Sequence, residues 1–331
     1  MNREIGGYFE FEEMSGSEYH SGLHRLNLGR TALEYLLCAI DCRTIYIPYY
    51  ICDSVLDGAK RAGKRLMRST NGAANIEIRQ YRLNDDLSPR LDSISPESRE
   101  WVYITNFYGQ ITEEDIRQYK EKYTNIIVDN AQAFFDRPVD DIPTIYSCRK
   151  FLGVSDGAYV SANIDGVEQL PQDSSMDRFG YMIGRLETTA SEHYSGMLAV
   201  NCTFKDMEPM QMSKSTLNVL KGIDYDRVIR KRRENYAALK KLLPSDNPFT
   251  VNDPFAPFAY PFYHPHGIEL RKELASKKIY VQTNWKYLID KMPESCPEHV
   301  WSADILPLPV DQRYGPDEMK YIAEVIKQFG D

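Results

Sequence analysis

The feature that most restricts the fold is an alternation of helical and strand-forming segments along the first half of the chain. Apolar residues recur at helical spacing over residues 31–40, and the run TIYIPYY at residues 44–50 is rich in β-formers. Further strands are predicted at residues 76–81, 101–105, 125–129, 144–147 and 157–161, and helices at residues 53–62 and 113–123. This rhythm is typical of an α/β fold with a mostly parallel sheet covered by helices.

The pattern changes after about residue 165, and a long basic helix is predicted at residues 225–239. Val228, Ile229 and Tyr236 give this helix a buried side, so its charges are interpreted as a solvated face and not as a nucleic-acid stripe. Residues 244–248 read as a turn or hinge. The predicted elements beyond it are a strand at 255–263, a helix at 267–278, a strand at 305–310 and a helix at 316–329. We therefore predict a large α/β domain over residues 1–243, including a connecting helix at about 224–243, and a small α+β domain over residues 244–331.

Charge and composition narrow the class of ligand. The net charge of -8 and the pI of about 5.4 give no reason to expect nucleic acid or an anionic membrane as a partner, so small molecules are expected. No apolar run reaches the roughly 18 residues of a membrane span, and the first residues lack the build of a signal peptide, so the expected location is the cytoplasm. The six cysteines form no C-x-x-C pair, and the one close histidine pair, His264 and His266, does not match a zinc pattern. No metal is expected.

A carboxylate stands where one predicted strand ends. Asp129 closes the run IIVD at residues 126–129, and Gln132 follows three positions later. In open parallel sheets, ligands bind at the carboxyl ends of the strands. Asp is also common as a helix cap or loop acid, and the position of Asp129 alone does not separate the two interpretations.

A second candidate is the segment LGRTA at residues 28–32, where Gly29, Arg30 and Thr31 begin an amphipathic helix. A helix N-terminus offers unpaired N–H groups and partial positive charge, glycine allows close approach, and a hydroxyl adds a donor, all of which suit a phosphate. Many helices begin this way without a ligand, and the segment matches neither a Walker loop nor a G-x-G-x-x-G turn.

The third candidate is Lys150, which follows the strand at residues 144–147. Most lysines are solvated, but Phe151 and Leu152 flank this one and could partly desolvate it, which would favour the nucleophilic amine. A lysine, an anion site and a carboxylate are together what pyridoxal phosphate needs: an amine for its Schiff base, a phosphate site, and a partner for its pyridine nitrogen.

At this point the sequence resembles the DegT/StrS family of sugar aminotransferases, which have the fold of type I pyridoxal-phosphate enzymes. The resembling segments occur in order over nearly the whole chain: GRTAL at 29–33, IPYY at 47–50, NFYG at 106–109, VDNAQA at 128–133, SCRK at 147–150, RRENY at 232–236 and LPLPV at 306–310. Each segment alone is weak, and their order makes the resemblance specific.

The resemblance assigns roles to these positions. It implies that Asp129 binds the pyridine nitrogen, that Gln132 reaches the ring hydroxyl, and that Lys150 forms the Schiff base. Phosphate ligands are implied at Gly29, Arg30, Thr31 and Ser147. An aromatic residue would stack on the ring, either one from the loop at residues 48–52, where we favour Tyr50, or Tyr108.

The chain also departs from the family pattern. The segment from Ser147 to Lys150 is shorter than usual, and residues 204–210 hold no clean counterpart of the asparagine that reaches the phosphate of the partner subunit. The implied activity is amino transfer from an amino acid, with glutamate as the expected donor, to a keto sugar or similar carbonyl compound, in a homodimer. The alternatives are a sugar dehydratase of the same family, in which histidine often replaces the lysine, and a non-catalytic protein that uses the fold for binding or regulation.

Overall fold

The computed structural model describes residues 5–244 and 247–329, so the predicted hinge at 244–248 lies partly outside the described residues. The strands of the large sheet are β1 (His24–Leu26), β2 (Thr44–Pro48), β3 (Glu77–Tyr81), β4 (Glu100–Thr105), β5 (Ile126–Asp129), β6 (Thr144–Ser147) and β7 (Ala158–Ser161). Their order is β1-β7-β6-β5-β4-β2-β3. The neighbours from β3 to β6 are parallel, whereas β7 pairs antiparallel with both β6 and β1. The predicted α/β class with a mostly parallel sheet is confirmed.

Helices cover this sheet and continue beyond it. They are α1 (Gly29–Ala39), α2 (Asp53–Ser69), α3 (Glu113–Lys122), α4 (Gly180–Glu187), α5 (Tyr194–Thr203), α6 (Lys214–Lys221), α7 (Tyr225–Leu242), α8 (Gly267–Ser276), α9 (Tyr287–Lys291), α10 (Pro297–Asp304) and α11 (Pro316–Phe329). Short 3₁₀ turns lie at Phe107–Gly109, Cys148–Lys150, Val167–Gln169 and Met176–Arg178. No helix among the described residues is long and apolar enough to cross a membrane.

Helix α2 is longer than predicted and ends at Ser69 instead of residue 62. Gly63 lies inside it, where a Cβ atom would come within 2.6 Å of the Asn75 side-chain oxygen. The glycine lets the segment that leads into β3 pass close to the helix, and its cost to helix stability is about 1 kcal/mol relative to alanine.

Two strands form a separate sheet near the C-terminus. β8 (Tyr260–Tyr263) pairs antiparallel with β9 (Ile305–Leu308), and α7, α8 and α11 pack around it. The apolar side chains of this region form their own cluster, which includes Leu239 of α7 and Met319 of α11. Trp301 and Ile305, by contrast, belong to the cluster of the large sheet, so the two regions share a packed boundary. The division into domains at residues 243 and 244 stays a prediction.

Candidate functional site

The carboxyl ends of the parallel strands lie at one edge of the large sheet, and Asp129 closes β5 there. Asp129 is opposite Ile145 in the pairing of β5 with β6, and Ser147 follows two residues later on the same face. Ile145 and its partner Val160 on β7 lie in the same apolar cluster as Leu33 of α1. Asp129, Ile145 and Ser147 therefore share one face of the sheet.

The Asp129 carboxylate is almost completely buried, with 6% of the residue exposed. One oxygen, Oδ1, accepts a hydrogen bond of 2.9 Å from the Ala131 N–H group, which fixes the turn after β5. Thr105 lies opposite Asp129 in the pairing of β4 with β5. Its hydroxyl is buried and has no hydrogen-bond partner among the described residues. Because buried hydroxyls are normally paired, this group points to a missing partner beside the carboxylate.

The start of α1 provides the groups expected of a phosphate site. Within the described residues, the N–H groups of Gly29, Arg30 and Thr31 have no acceptor. The Thr31 hydroxyl is occupied, because it donates to Asn27 Oδ1 at 2.5 Å and is completely buried. The Arg30 guanidinium lies 3.2 Å from the Phe204 carbonyl oxygen. The backbone of α1, and not the Thr31 side chain, is therefore free to bind an anion in this structure.

Asn27 holds the approach to α1 in place. Its side-chain oxygen accepts from the Leu28 N–H group at 3.1 Å, and its amide donates to the Glu208 carbonyl oxygen at 3.1 Å. Its own carbonyl oxygen accepts from the N–H group of Gly157, the residue before β7. The loop that leads into α1 is thus fixed to two distant segments of the chain.

Lys150 lies on the 3₁₀ turn that follows β6, at the same end of the sheet as the start of α1, because Ser147 and Leu26 both pair with Ala158 of β7. Phe151 and Leu152 are buried, as expected, but Lys150 itself is exposed in the single chain. Its amine makes no hydrogen bond or ion pair with any described residue. The Ser147 hydroxyl is likewise without a hydrogen bond there. The expected desolvation of Lys150 is therefore not provided by this chain alone.

Gln132 and the two candidate stacking residues are occupied by contacts inside the protein. The Gln132 side-chain oxygen accepts from the Tyr108 N–H group at 2.9 Å and holds Tyr108 at a φ of +56°, a strained value for a residue with a side chain. The Tyr108 hydroxyl accepts from the Asn284 amide at 2.9 Å. Tyr50 is completely buried, and its ring centroid lies 4.2 Å from that of Trp285. In this structure neither tyrosine presents a free ring face.

A half-buried acid outside the predicted set lies close to this edge. Asp136 faces Asn106, the residue that follows β4, with 3.4 Å between the Asn106 amide nitrogen and Asp136 Oδ2. Burial raises the pKa of Asp136 to about 7, and the bond from Asn106 opposes this rise. The carboxyl group is therefore partly protonated near neutral pH.

Two arginines that sequence reasoning missed hold the loop around Lys150. Arg232 of α7 is 1% exposed, and its guanidinium donates to the Phe151 carbonyl oxygen at 3.0 Å and to the Pro257 carbonyl oxygen at 2.9 Å. Arg149 precedes Lys150 and turns into the protein, towards Phe204. The sequence offered one signal for Arg149. Two adjacent basic residues, Arg149 and Lys150, follow a buried strand, and one of these two side chains turns inward.

The predicted residues thus fall into two groups. Asp129, Ser147, Lys150 and the start of α1 lie around one end of the sheet, with free backbone N–H groups and a buried carboxylate. Tyr50 is enclosed and the Thr31 hydroxyl is occupied. The unpaired N–H groups and the unpaired Thr105 hydroxyl fit a phosphate-bearing group with a hydrogen-bonding ring. No group of three or more potential metal-binding side chains occurs among the described residues.

No protein-family model matches the chain, and no curated protein sequence matches it. Solved structures do resemble it. DesV of S. venezuelae, in complex with a ketimine intermediate, is 14% identical with a TM-score of 0.63, over 93% of this chain and 84% of DesV. The sugar aminotransferase CalS13 of Micromonospora echinospora is 14% identical with a TM-score of 0.60, over 92% of this chain and 87% of CalS13.

A third solved structure carries the name of the family that the sequence resembles. It is a DegT DnrJ EryC1 StrS aminotransferase from Brucella abortus, 11% identical with a TM-score of 0.59, over 93% of this chain and 85% of that protein. At such low identity the likeness establishes the fold and nothing finer. The predicted fold, that of type I pyridoxal-phosphate transferases, is confirmed.

Proposed function

We propose that this protein is a pyridoxal-phosphate-dependent aminotransferase that moves an amino group from an amino acid to a keto sugar or a similar carbonyl compound. Glutamate is the donor that we propose to test first. The observation that carries the proposal is that the buried Asp129 carboxylate, the free N–H groups of α1 and the Lys150 turn all lie at one end of the sheet. The fold shared with sugar aminotransferases supports it.

The proposed cofactor contacts follow from the donors and acceptors that are free. The N–H groups of Gly29, Arg30 and Thr31, with the Ser147 hydroxyl, would hold the phosphate. Gln132 would approach the ring hydroxyl with its amide, since its oxygen is taken by Tyr108. For Tyr50 to stack on the ring, the Trp285 side chain would have to move away from it.

The proposed chemistry divides between the cofactor and the chain. Pyridoxal phosphate, when bound, supplies an aldehyde that captures amines and a ring that withdraws electrons. Asp129 would keep a proton on the ring nitrogen, because a buried carboxylate is stabilised by a positive charge beside it. Lys150 would hold the cofactor at rest and then carry a proton between the substrate carbon and the cofactor. The Asn27 contacts would keep the phosphate loop in position during both steps.

We also propose a cytoplasmic homodimer in which the second subunit covers Lys150. Two features of the single chain support this assembly. The first is that Lys150 is exposed. The second is that helices α4 and α5 contain no buried residue and carry exposed apolar side chains, with Leu186 84% exposed and Leu198 44% exposed. An apolar surface of this kind is typical of interfaces between subunits. Light scattering of the purified protein measures the mass directly.

The first experiment is the absorption spectrum of the purified protein with pyridoxal phosphate, before and after borohydride reduction. We expect a visible band in the wild type that reduction converts into a covalent adduct, and neither band nor adduct in Lys150→Ala. Lys122→Ala, which replaces an exposed lysine at the end of α3, is the matched control and should behave as the wild type. Loss of the visible band on addition of glutamate would support amino transfer.

The exposed Lys150 and the enclosed Tyr50 favour one alternative, a non-catalytic protein that uses this fold for binding or regulation. The same spectra separate the two functions. A wild type that forms no adduct with the cofactor would contradict the proposed activity and support the alternative.

A further inference from the structure

The side chain next to Lys150 lacks the partner that its charge requires. The Arg149 guanidinium donates from Nη2 to Asn201 Oδ1 at 2.8 Å, and its Nε atom is buried without a partner among the described residues. The guanidinium carbon lies 4.2 Å from the centre of the Phe204 ring. No carboxylate of the described residues forms an ion pair with it. Burial lowers the pKa of Arg149, Tyr181 and Asp156 oppose this effect in part, and the Arg178 charge adds to it.

A second guanidinium, that of Arg178, lies over the same ring, with its carbon 5.9 Å from the centre of Phe204. Arg178 is 8% exposed and is paired with Asp173 at 2.8 Å. Its Nε atom is also buried without a partner in the described part of the chain, and its Nη1 atom meets only the Met207 sulfur, at 3.2 Å. A thioether is a weak acceptor.

Arg178 therefore has one ion-pair partner, Asp173, whereas Arg149 has none in the described part of the chain, and Asp156 acts on the Arg149 charge only from a distance. Leaving a buried charge unpaired is costly, and an arginine does not escape this cost by losing its proton at neutral pH. Phe204, Asn201 and Met207 provide no negative charge, and helix α5 above them contains no charged residue at all. The two guanidiniums carry more positive charge than the groups around them neutralise. An anion with several oxygens would balance this charge and accept hydrogen bonds from the unpaired N–H groups.

We propose that Arg149 and Arg178 form a binding site for an oxyanion, a phosphate or a carboxylate, beneath the end of α5. The planar fork of a guanidinium matches the oxygens of both groups. Arg149 is only partly buried and Asn201 is exposed, so the site can be reached from solvent. The inference depends on this cluster and not on the proposed amino transfer, although a site beside Lys150 is well placed for the phosphate or carboxylate of a cofactor or substrate.

The test is calorimetric titration of the purified full chain with inorganic phosphate, without pyridoxal phosphate. We expect saturable binding to the wild type and binding weakened about 10- to 100-fold in Arg149→Gln and Arg178→Gln, the usual effect of losing a charge-assisted hydrogen bond. Arg185→Gln, which removes an exposed charge from α4, is the matched control and should bind as the wild type. Absence of binding to the wild type, or equal binding to Arg149→Gln, would overturn the proposal.

A further variant separates binding from a purely structural role of Arg149. In Arg149→Met the apolar stem is kept and the unpaired charge is removed, so the melting temperature without phosphate should stay the same or rise. Phosphate should raise the melting temperature of the wild type but not that of the variant. A large fall in the melting temperature of Arg149→Met, with phosphate binding preserved in Arg149→Gln, would show that Arg149 serves packing alone.

Competition then identifies the source of the oxyanion. Displacement of phosphate by pyridoxal phosphate would assign the site to the cofactor, displacement by glutarate to an acidic amino donor, and displacement by uridine diphosphate to a nucleotide-linked substrate. Each result supports the oxyanion site. If the wild type shows no absorption band with pyridoxal phosphate but still binds inorganic phosphate, the proposed aminotransferase activity is contradicted and the proposed oxyanion site is supported.

Discussion

The half-buried acid Asp136 should make the free energy of unfolding of the protein depend on pH. Its pKa is raised by burial from 3.8 to about 7, so the folded protein holds a proton that the unfolded chain gives up at lower pH. Below pH 3.8 both states are protonated and Asp136 has no effect on stability. As the pH rises from 3.8 to 7 the unfolded state is progressively favoured, and above pH 7 the destabilisation is complete.

The size of this effect follows from the shift. A difference of one pKa unit corresponds to about 1.4 kcal/mol, so ionised Asp136 lowers the free energy of unfolding by up to about 4 kcal/mol. The group is only partly buried and solvent screening reduces this figure, which makes it an upper bound. About 3 kcal/mol of the change falls between pH 5 and pH 8.5.

The substitution Asp136→Asn imitates the protonated acid at every pH and retains a partner for Asn106. Urea unfolding of both proteins at pH 5 and pH 8.5 gives the free energy of unfolding of each. The free energy of unfolding of the variant, relative to that of the wild type, should rise by up to about 3 kcal/mol between these pH values. Asp140→Asn, which replaces an exposed carboxylate nearby, should show no such growth. If the difference in the free energy of unfolding between Asp136→Asn and the wild type is the same at both pH values, the pKa of Asp136 is not raised.

Two further substitutions test the packing of the loop that carries Lys150. Gly157→Ala should lower the free energy of unfolding by about 2 kcal/mol in urea, because φ is +112° and the new Cβ would lie 3.0 Å from Cys148 Sγ. Gly153→Ala, where a Cβ meets nothing within 4 Å, should change it by less than about 1 kcal/mol, and equal effects would contradict the strain argument. Arg232→Met should cost about 3 kcal/mol, because the carbonyl oxygen of Pro257 loses its charged donor and that of Phe151 keeps only the Gln312 amide. Arg233→Met, at an exposed position of the same helix, should have little effect on the urea midpoint, and a similarly small effect of Arg232→Met would count against this role.

The strands of the large sheet were largely predictable because burial leaves a clear trace in their composition. All four residues of β5 are buried, and the sequence there is a continuous apolar run closed by Asp129. β1 left no such trace. It has three residues, of which only Leu26 is buried, and it exists because it pairs with β7 far along the chain. Helix α5 was missed for a related reason, since its apolar residues follow no helical period, whereas α4 is amphipathic but only eight residues long.

The candidate site was predictable where a role depends on position along the chain, and not where it depends on contacts between distant segments. The place of Asp129 at the end of a strand follows from local pattern. The enclosure of Tyr50 does not, because Trp285 comes from a segment far along the sequence. The inward direction of the Arg149 side chain could not be predicted either, because its contacts with Phe204 and Asn201 come from a distant segment.

The contacts of Asn27 also set an order in which the site can form. Its amide binds a carbonyl group 181 residues later, that of Glu208, and its carbonyl binds the N–H group of Gly157. During synthesis, therefore, the ribosome must release the chain beyond Glu208 before the loop ahead of α1 reaches its final shape. Closing so long a loop is slow, so the end of α1 with the free N–H groups should be among the last parts of the sheet edge to mature. A nascent chain that stops earlier would contain the Asp129 strand but lack a fixed phosphate loop.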